Sequence, residues 1–269
     1  RCSGINAQKD WFMNRSEKKS MSSALKNGIM ERTQPEKVVQ MQGTADLSTS
    51  KLGTKKYWDE LYALELENFR RNPQDTGDCW FSDSDAEQKM IDFLVDNIGA
   101  YRISENASVV DLGTGNGHML FELHQTEFQG KLVGIDYSEE SVKLASNIAE
   151  ATGVDNFISF QQADIFSGDW KPGKYDIVLD KGTLDAISLS GMKINGKLDV
   201  VDVYAGVVEK ILEKDGIFLI TSCNFTQDEL VKIIETDNLK MWKTIKYPVF
   251  QFGGVQGATI CSVAFVKQN

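Results

Sequence analysis

Residues 109–118 read Val-Val-Asp-Leu-Gly-Thr-Gly-Asn-Gly-His. An apolar run therefore passes into three glycines at alternate positions, and residues 117–123 follow with helical spacing. Such glycines permit a tight turn and let the backbone approach a ligand closely. Asp136, nineteen positions past Gly117, ends the next apolar run. A carboxylate there can accept both hydroxyl groups of a ribose, so the two features predict a site for an adenosine-containing cofactor.

The spacing of this glycine loop favours one cofactor over another. Dinucleotide sites have the pattern Gly-x-Gly-x-x-Gly and hold a pyrophosphate at a helix N-terminus. Here the pattern is Gly-x-Gly-x-Gly and Asp111 precedes it. An acid beside a phosphate is electrostatically unfavourable, whereas it suits an amine and a positive sulfonium. The loop therefore favours S-adenosylmethionine over NAD; the alternative for Asp111 is that it only ties down the amides of the loop.

A third carboxylate follows a later strand. Residues 161–166 read Gln-Gln-Ala-Asp-Ile-Phe, which places Asp164 at a strand end. It can accept a hydrogen bond from the adenine amino group, and Ile165 or Phe166 can pack on the ring. Taken alone, the segment is only a strand that runs into a loop, but after the glycine loop and Asp136 its position supports the same site.

Strand-like and helical runs alternate along the body of the chain. Strands are predicted at 108–112, 131–136, 158–162, 176–180 and 217–222, with helices at 117–123, 139–151 and 200–213. Alternation of this kind indicates βαβ units and a parallel sheet with helices on both faces. Residues 241–249 and 258–266 flank Gly253-Gly254 and predict an antiparallel hairpin at the sheet edge. The predicted fold class is α/β: a Rossmann-like, seven-stranded, mainly parallel sheet with an antiparallel C-terminal hairpin.

The first fifty residues differ from the rest in composition. Residues 1–50 are rich in Ser, Lys, Gln and Asn without an apolar period, which predicts a disordered tail. The chain begins with Arg1, and one interpretation takes Met41 as the physiological start. The lack of an apolar run disfavours a secretory signal, and interspersed acids disfavour a mitochondrial presequence. Residues 51–269 are predicted to form the catalytic domain, with an N-terminal helical cap at 54–100.

Charge and cysteine content narrow the class of protein further. The net charge is −10, and the first fifty residues hold eight Lys/Arg against five Asp/Glu, which leaves 21 against 34 in the body. An acidic body disfavours non-specific nucleic-acid binding and suits a small ligand or a basic protein partner. No apolar stretch is long enough to predict a membrane span. Four scattered cysteines and two histidines predict no zinc site, and reduced thiols fit the cytosol or nucleus.

The segment expected to carry the chemistry is residues 175–187, Tyr-Asp-Ile-Val-Leu-Asp-Lys-Gly-Thr-Leu-Asp-Ala-Ile. It passes from a buried strand into a polar turn. Ligands of parallel α/β sheets bind at the C-terminal ends of the strands, so Asp180 is expected to face the cofactor site. For Lys181 and Asp185, the alternative to a functional role is that they pair with each other across the turn.

These motifs, in this order and spacing, resemble the class I (seven-strand) S-adenosylmethionine-dependent methyltransferases. The run 180–187 is similar to a protein-lysine subgroup of that class. With the leader at 55–62 and the run Asp-Cys-Trp-Phe at 78–81, the chain resembles the eukaryotic lysine methyltransferases of translation elongation factor 1-alpha. The likeness covers about residues 50–269. It implies a cytoplasmic enzyme that methylates a lysine of that factor and needs no metal.

The resemblance also implies roles for individual residues. Cofactor contacts are implied for Trp80, Asp111, Gly113, Gly115, Asp136, Asp164 and Ile165, of which Trp80 would cover the cofactor. A polar residue followed by Pro-Pro and an aromatic, the signature of nucleic-acid amino-methyltransferases, is replaced here by Asp-Lys-Gly-Thr at 180–183. That departure argues against DNA, RNA and glutamine substrates.

The expected reaction is in-line transfer of a methyl group to a neutral lysine amine. Asp180 is expected to orient the amine, Asn224 to make a polar contact with the substrate, and Tyr57, Trp80 and Phe225 to shape an aromatic channel. Two alternatives remain open: a methyltransferase for another protein or a small molecule, with residues 188–197 as a lid or a docking loop, and a non-catalytic scaffold or trafficking adaptor. A monomer is expected, because no heptad pattern stands out.

Overall fold

The structure, a computed structural model, describes residues 50–194, 196–248, 250–252, 255–257 and 260–268. The predicted tail at 1–50, apart from residue 50, lies outside the described residues, as does Met41. None of the helices in the described part of the chain has both the length and the apolar character needed to cross a membrane.

Helices and strands alternate over most of the described chain. After a short 3-10 helix (Lys51–Gly53), the helices are α1 (Lys55–Arg71), α2 (Ala86–Asp96), α3 (His118–His124), α4 (Glu139–Thr152), α5 (Thr183–Ser188), α6 (Val200–Ile211) and α7 (Gln227–Ile234). The strands are β1 (Val109–Leu112), β2 (Leu132–Asp136), β3 (Ile158–Gln162), β4 (Tyr175–Lys181), β5 (Lys193–Ile194), β6 (Leu198–Asp199), β7 (Leu212–Ser222), β8 (Leu239–Ile245), β9 (Phe250–Phe252), β10 (Val255–Gly257) and β11 (Cys261–Lys267).

Within the described residues, seven strands form one sheet in the order β3-β2-β1-β4-β7-β11-β8. Neighbours from β3 to β7 are parallel, and β11 is antiparallel to both β7 and β8. The chain runs outward from β1 through β2 to β3 and then returns to place β4 on the other side of β1. Such a reversal opens a crevice at the C-terminal strand ends, where α/β proteins bind ligands. The predicted fold class is therefore confirmed.

The C-terminal strands form the antiparallel pair that was predicted at the sheet edge. Within this pair β11 lies next to β7, and β8 is the outermost strand. The small ladder of β9 and β10 occupies the connection between them. Burial explains the order, because the described side chains of β11 are almost all buried, whereas most of those of β8 are partly exposed.

The core is formed by the central strands of the sheet and by the buried faces of the helices that pack on it. Every residue of β1 and β2 is buried, as expected for parallel strands covered on both faces. Helix α1 packs against α4 and buries Tyr62, Leu66 and Phe69, which recur at helical spacing. Leu64 lies off this face and is 60% exposed. Helix α5 replaces most of the polar turn predicted at 180–187 and starts directly after β4.

Candidate active site

One cavity of about 420 Å³ lies at the C-terminal ends of β1, β2 and β4. Its floor is the glycine loop, one side is formed by α1 and the other by the start of α5. The volume falls within the usual range for small-molecule sites, about 300–1,000 Å³. The cavity therefore occupies the place that the sheet topology assigns to a ligand.

The glycine loop forms a cradle that side chains would fill. Gly113 and Gly115 have φ angles of 68° and 58°, a region that residues with a Cβ rarely adopt. A Cβ on Gly113 would lie 2.2 Å from Oγ1 of Thr183, and one on Gly115 would lie 2.6 Å from the hydroxyl of Tyr62. The carbonyl of Gly115 accepts a hydrogen bond of 2.7 Å from Ser141. The loop is thus fixed in shape, and both glycines line the cavity as predicted.

Asp136 lies at the end of β2 beside this loop. Its Oδ2 accepts a hydrogen bond of 3.0 Å from the amide of Gly115, and its Oδ1 accepts one of 2.9 Å from the amide of Ser138. Burial raises the pKa of Asp136 above its ordinary value, although these amides oppose the shift. Each carboxylate oxygen has a second lone pair, so a carboxylate held in this way can still accept the two hydroxyls of a ribose.

The end of β3 supplies the third predicted carboxylate. Asp164 is exposed, and its Oδ1 accepts a hydrogen bond of 2.9 Å from the amide of Phe166 in a local turn. Asp164, Ile165 and Phe166 all line the cavity. The expected adenine end therefore lies along the same cavity as Asp136, and the contacts themselves stay predictions.

Asp111 is placed below the cavity and not in its wall. It is buried in the middle of the sheet, one strand residue before Leu112, and does not line the cavity. Burial raises its pKa to about 7, with Lys181 lowering that value and Glu87 and Asp136 raising it. Asp111 therefore lies under the loop and outside the cavity lining, and its expected contact with the methionine end stays a prediction.

Replacing Asp111 with asparagine is expected to change how stability depends on pH. In the wild-type protein the free energy of unfolding should fall as pH rises from about 4 to about 7, because the unfolded chain releases the Asp111 proton while the folded chain keeps it. Asp111→Asn removes this pH dependence. The difference in the free energy of unfolding between the two proteins should therefore grow between about pH 4 and pH 7, to about 4 kcal/mol at most, and stay constant above pH 7. Urea unfolding of the cofactor-free proteins at about pH 5.5 and about pH 8 measures it; parallel pH profiles would contradict the assignment.

A segment of backbone at residues 76–80 closes the cavity from above. Asn116 donates to the carbonyls of Thr76 and Asp78, at 2.9 and 3.2 Å. Lys181 donates to the carbonyl of Trp80 at 3.1 Å, and its ammonium lies 3.6 Å from Glu87. The pairing of Lys181 with Asp185 that the sequence left open is not the one that forms. Trp80, whose backbone carbonyl is held by Lys181, lines the cavity.

The aromatic wall differs from the predicted channel. Trp58, Tyr62 and Trp80 line the cavity, with ring centroids 5.3 Å apart for Trp58–Trp80 and 6.0 Å apart for Trp58–Tyr62. Tyr57 lies outside the lining and contacts Lys51 across its ring at 5.3 Å. Phe225 packs against the hydrophobic core. Tyr57 and Phe225 thus lie outside the lining of this cavity. For Tyr57 the reason is that one helical position separates it from the face that Trp58 and Tyr62 share.

Asp180 is not placed where the sequence predicts. It is fully buried and does not line the cavity. Its carboxylate accepts hydrogen bonds from the amides of Thr183 and Leu184, at 2.7 and 3.1 Å, and from the hydroxyl of Tyr204 at 2.5 Å. Asp180 therefore pairs with the first two amides of α5 and joins α5 to α6, and these contacts hold it outside the cavity that it was expected to face.

Asp185, one turn into α5, is the acid that reaches the cavity. Its carboxylate is held by the hydroxyl of Ser222 and by the amide of Cys223 at 2.8 Å. Asn224, predicted as a substrate contact, also lines the cavity and donates from Nδ2 to the carbonyl of Asp185 at 3.4 Å. The two side chains form an acid-and-amide rim where β7 ends beside α5.

Some of these residues carry a signal in the sequence, and others do not. Trp58 and Tyr62 are four positions apart on an amphipathic helix, so their common face was readable. Lys55, which lines the cavity and lies 5.5 Å from the ring of Tyr137, has no distinguishing pattern. Choosing Asp185 over Asp180 requires knowing where α5 begins.

The residues present fit S-adenosylmethionine better than a dinucleotide. The glycine cradle leaves room for a ligand against the backbone, and Asp136, Asp164 and Asp185 line the cavity. Acids in such number suit a ligand that bears an amine and a sulfonium, and they oppose a pyrophosphate. Lys55 and Lys181 also line the cavity, where Lys55 pairs with Asp59 and Lys181 with Glu87.

Comparisons with known proteins agree with this geometry. Residues 103–254 match a family model described as a methyltransferase domain. The chain is 99% identical over 229 residues, 85% of its own length and the whole of the relative, to "Protein-lysine N-methyltransferase EFM4" of Saccharomyces cerevisiae. It is 35% identical over 224 residues, 83% of its length and 91% of the relative, to "EEF1A lysine methyltransferase 2" of Danio rerio.

A solved structure supports the fold. The crystal structure of the cyclase SpnF matches with a TM-score of 0.52 at 13% identity, over 75% of this chain and 78% of that one. At this identity the likeness shows the fold alone. The family match and the curated relatives favour an enzyme over the non-catalytic scaffold that the sequence left open.

Proposed function

This chain belongs to the protein-lysine N-methyltransferases, and from that premise we propose that it transfers a methyl group from S-adenosylmethionine to a lysine of translation elongation factor 1-alpha. The observation that carries the proposal is a single cavity that joins the glycine loop and Asp136 to the rim of Asp185 and Asn224. The substrate is the one named for the Danio rerio relative.

The cofactor would lie along the strand ends. Gly113 and Gly115 would hold its methionine part, Asp136 its ribose, and Asp164 with Ile165 its adenine. Trp80 would cover it from the segment at 76–80. When bound, S-adenosylmethionine supplies a methyl group that its positive sulfonium activates for transfer.

The rim would receive the lysine of the protein substrate. Asp185 attracts the ammonium group, and Asn224 fixes its direction by hydrogen bonding. The amine must lose a proton before it can attack, against an ordinary pKa near 10.4. The indole rings of Trp58 and Trp80 lower that pKa by excluding water, which favours the neutral amine.

We assign Asp185 to orientation, because an ionised carboxylate stabilises the ammonium form and so opposes its deprotonation. The lysine ammonium would first give a proton to water at the mouth of the cavity. Its neutral nitrogen would then accept the methyl group as the bond between that carbon and the sulfonium sulfur breaks, which leaves S-adenosylhomocysteine and a methylated ammonium. Holding the amine in line with the methyl group supplies much of the acceleration, since positioning alone is worth several orders of magnitude in rate.

Other properties of the enzyme stay predictions. A cytoplasmic location and a monomeric state follow from the sequence resemblance and the absence of a heptad pattern. The acidic composition and the run at 180–183 argue against nucleic acid as substrate or partner. The same acidity suits a basic protein surface.

The full chain, incubated with methyl-labelled S-adenosylmethionine and purified elongation factor 1-alpha, is expected to label a lysine of that factor. Mass spectrometry of the tryptic peptides identifies the lysine, and Asp136→Ala serves as the inactive control. A eukaryotic extract and a panel of small amines are assayed in parallel. Label on a different protein, or only on small amines, would replace elongation factor 1-alpha as the substrate.

A further inference from the structure

Three side chains of different chemistry converge behind the segment at 76–80. Cys79 comes from that segment, Glu87 from α2 and His118 from the first position of α3. One ligand atom from each, Sγ, a carboxylate oxygen and a ring nitrogen, lies within 4.8 Å of the other two. Nδ1 of His118 is 2.5 Å from Glu87, and Sγ of Cys79 is 3.4 Å from the other carboxylate oxygen.

The sulfur, nitrogen and oxygen atoms of these three side chains are ligands that suit a divalent metal of intermediate softness, such as zinc. Thiolate, imidazole and carboxylate are the three ligand types that zinc takes in proteins, commonly as three protein ligands with water in the fourth position. The carboxylate of Glu122 lies 3.9 Å from Nε2 of His118, on the far side of the ring. At this distance Glu122 is an ion-pair partner of the ring and not its hydrogen-bond acceptor.

We propose that Cys79, Glu87 and His118 form a binding site for a zinc-like divalent cation. The spacing of cysteines and histidines along the sequence predicts no such site, because the three residues lie up to 39 positions apart and meet only in the fold. Lys181 also faces Glu87, at 3.6 Å, but its ammonium has a second acceptor in the carbonyl of Trp80 at 3.1 Å. A cation bound to Glu87 can therefore leave Lys181 in place.

The site would tie the segment at 76–80 to the body of the domain. Cys79 lies between Asp78 and Trp80, which both line the cavity. A metal bond to Cys79 would join this segment to α2 and α3. Because a metal that binds the folded state alone stabilises it, metal binding should raise the melting temperature of the protein.

Titration of the chelator-treated full chain with Co²⁺, a spectroscopic substitute for Zn²⁺, tests the proposal. We expect one Co²⁺ per chain, a thiolate-to-metal charge-transfer band in the near ultraviolet, and loss of that band when Zn²⁺ is added. The absence of stoichiometric binding by the wild-type protein would overturn the proposal and leave a metal-free cluster of hydrogen bonds and ion pairs. Methyl transfer is not measured, so the outcome is independent of the proposed function.

Matched variants identify the ligands. His118→Gln and Cys79→Ser are expected to weaken binding by about 100-fold or more, since even outer-sphere changes cost roughly 10–100-fold. The controls are His124→Gln, at the other end of α3 where the ring stacks on Phe157 at 4.9 Å, and Cys261→Ser. A charge-transfer band that persists in Cys79→Ser, or equal losses in both histidine variants, would contradict the site. Of the two ligand variants, Cys79→Ser is the more conservative. Circular dichroism verifies that each variant is folded.

Discussion

Asp136→Ala is expected to weaken binding of S-adenosylmethionine by at least about 100-fold and to abolish methyl transfer. Hydrogen bonds to a charged group contribute about 1.5–3 kcal/mol each, and the proposed contact with the ribose has two of them. The substitution also removes the acceptors of the Gly115 and Ser138 amides, which hold the glycine loop in shape. Isothermal titration calorimetry measures the dissociation constant directly.

Asp164→Ala is the matched control for this prediction. Asp164 lines the same cavity from the next strand, but it is exposed and offers a single contact to the adenine. Its loss should therefore weaken binding by only about 10-fold, because one hydrogen bond to an exposed carboxylate lies at the low end of the range for charged groups. An Asp136→Ala protein that is folded and binds the cofactor as tightly as the wild type would remove Asp136 from the proposed site.

Asp185→Asn is expected to lower kcat by about 100-fold while the dissociation constant of the cofactor stays within a few-fold of the wild-type value. The amide keeps the size of the side chain and can still accept from the amide of Cys223. It loses the charge that draws the lysine ammonium to the rim. A substrate lysine that is misplaced by about 1 Å costs on the order of 100-fold in rate. Single-turnover kinetics with saturating cofactor separate this effect from binding.

Asp180→Asn distinguishes the structural acid from the one that faces the cavity. The oxygens of Asp180 accept from Thr183, Leu184 and Tyr204. An amide group turned toward those donors leaves at least one of them unpaired, at a cost of about 1–3 kcal/mol in the free energy of unfolding. We expect a lower melting temperature for Asp180→Asn. Loss of turnover in Asp180→Asn without loss of stability, together with wild-type turnover in Asp185→Asn, would return the orienting role to Asp180.

The fold class could be predicted from the sequence, and so could the cluster of residues that we propose holds the cofactor. The glycine loop after β1 and the acids at the ends of β2 and β3 are local features, each defined within a few residues of one strand. Parallel strands bring their C-terminal ends to one edge, so Gly113, Asp136 and Asp164 had to meet once the βαβ order was read. The proximity of these three residues could therefore be predicted without knowing how the helices pack.

Only the tertiary structure decided the acceptor end and the proposed metal site. Asp180 and Asp185 are both acids after a buried strand, and which of them faces the cavity depends on where α5 starts and how it packs on α6. Trp58, and not Tyr57, reaches the cavity because the side of α1 that faces inward is fixed by its contact with α4. Cys79, Glu87 and His118 come from three elements whose approach no local pattern encodes. The physical reason is common to all of these residues: their roles depend on the relative placement of packed helices, whereas the glycine loop depends on the conformation of its own backbone.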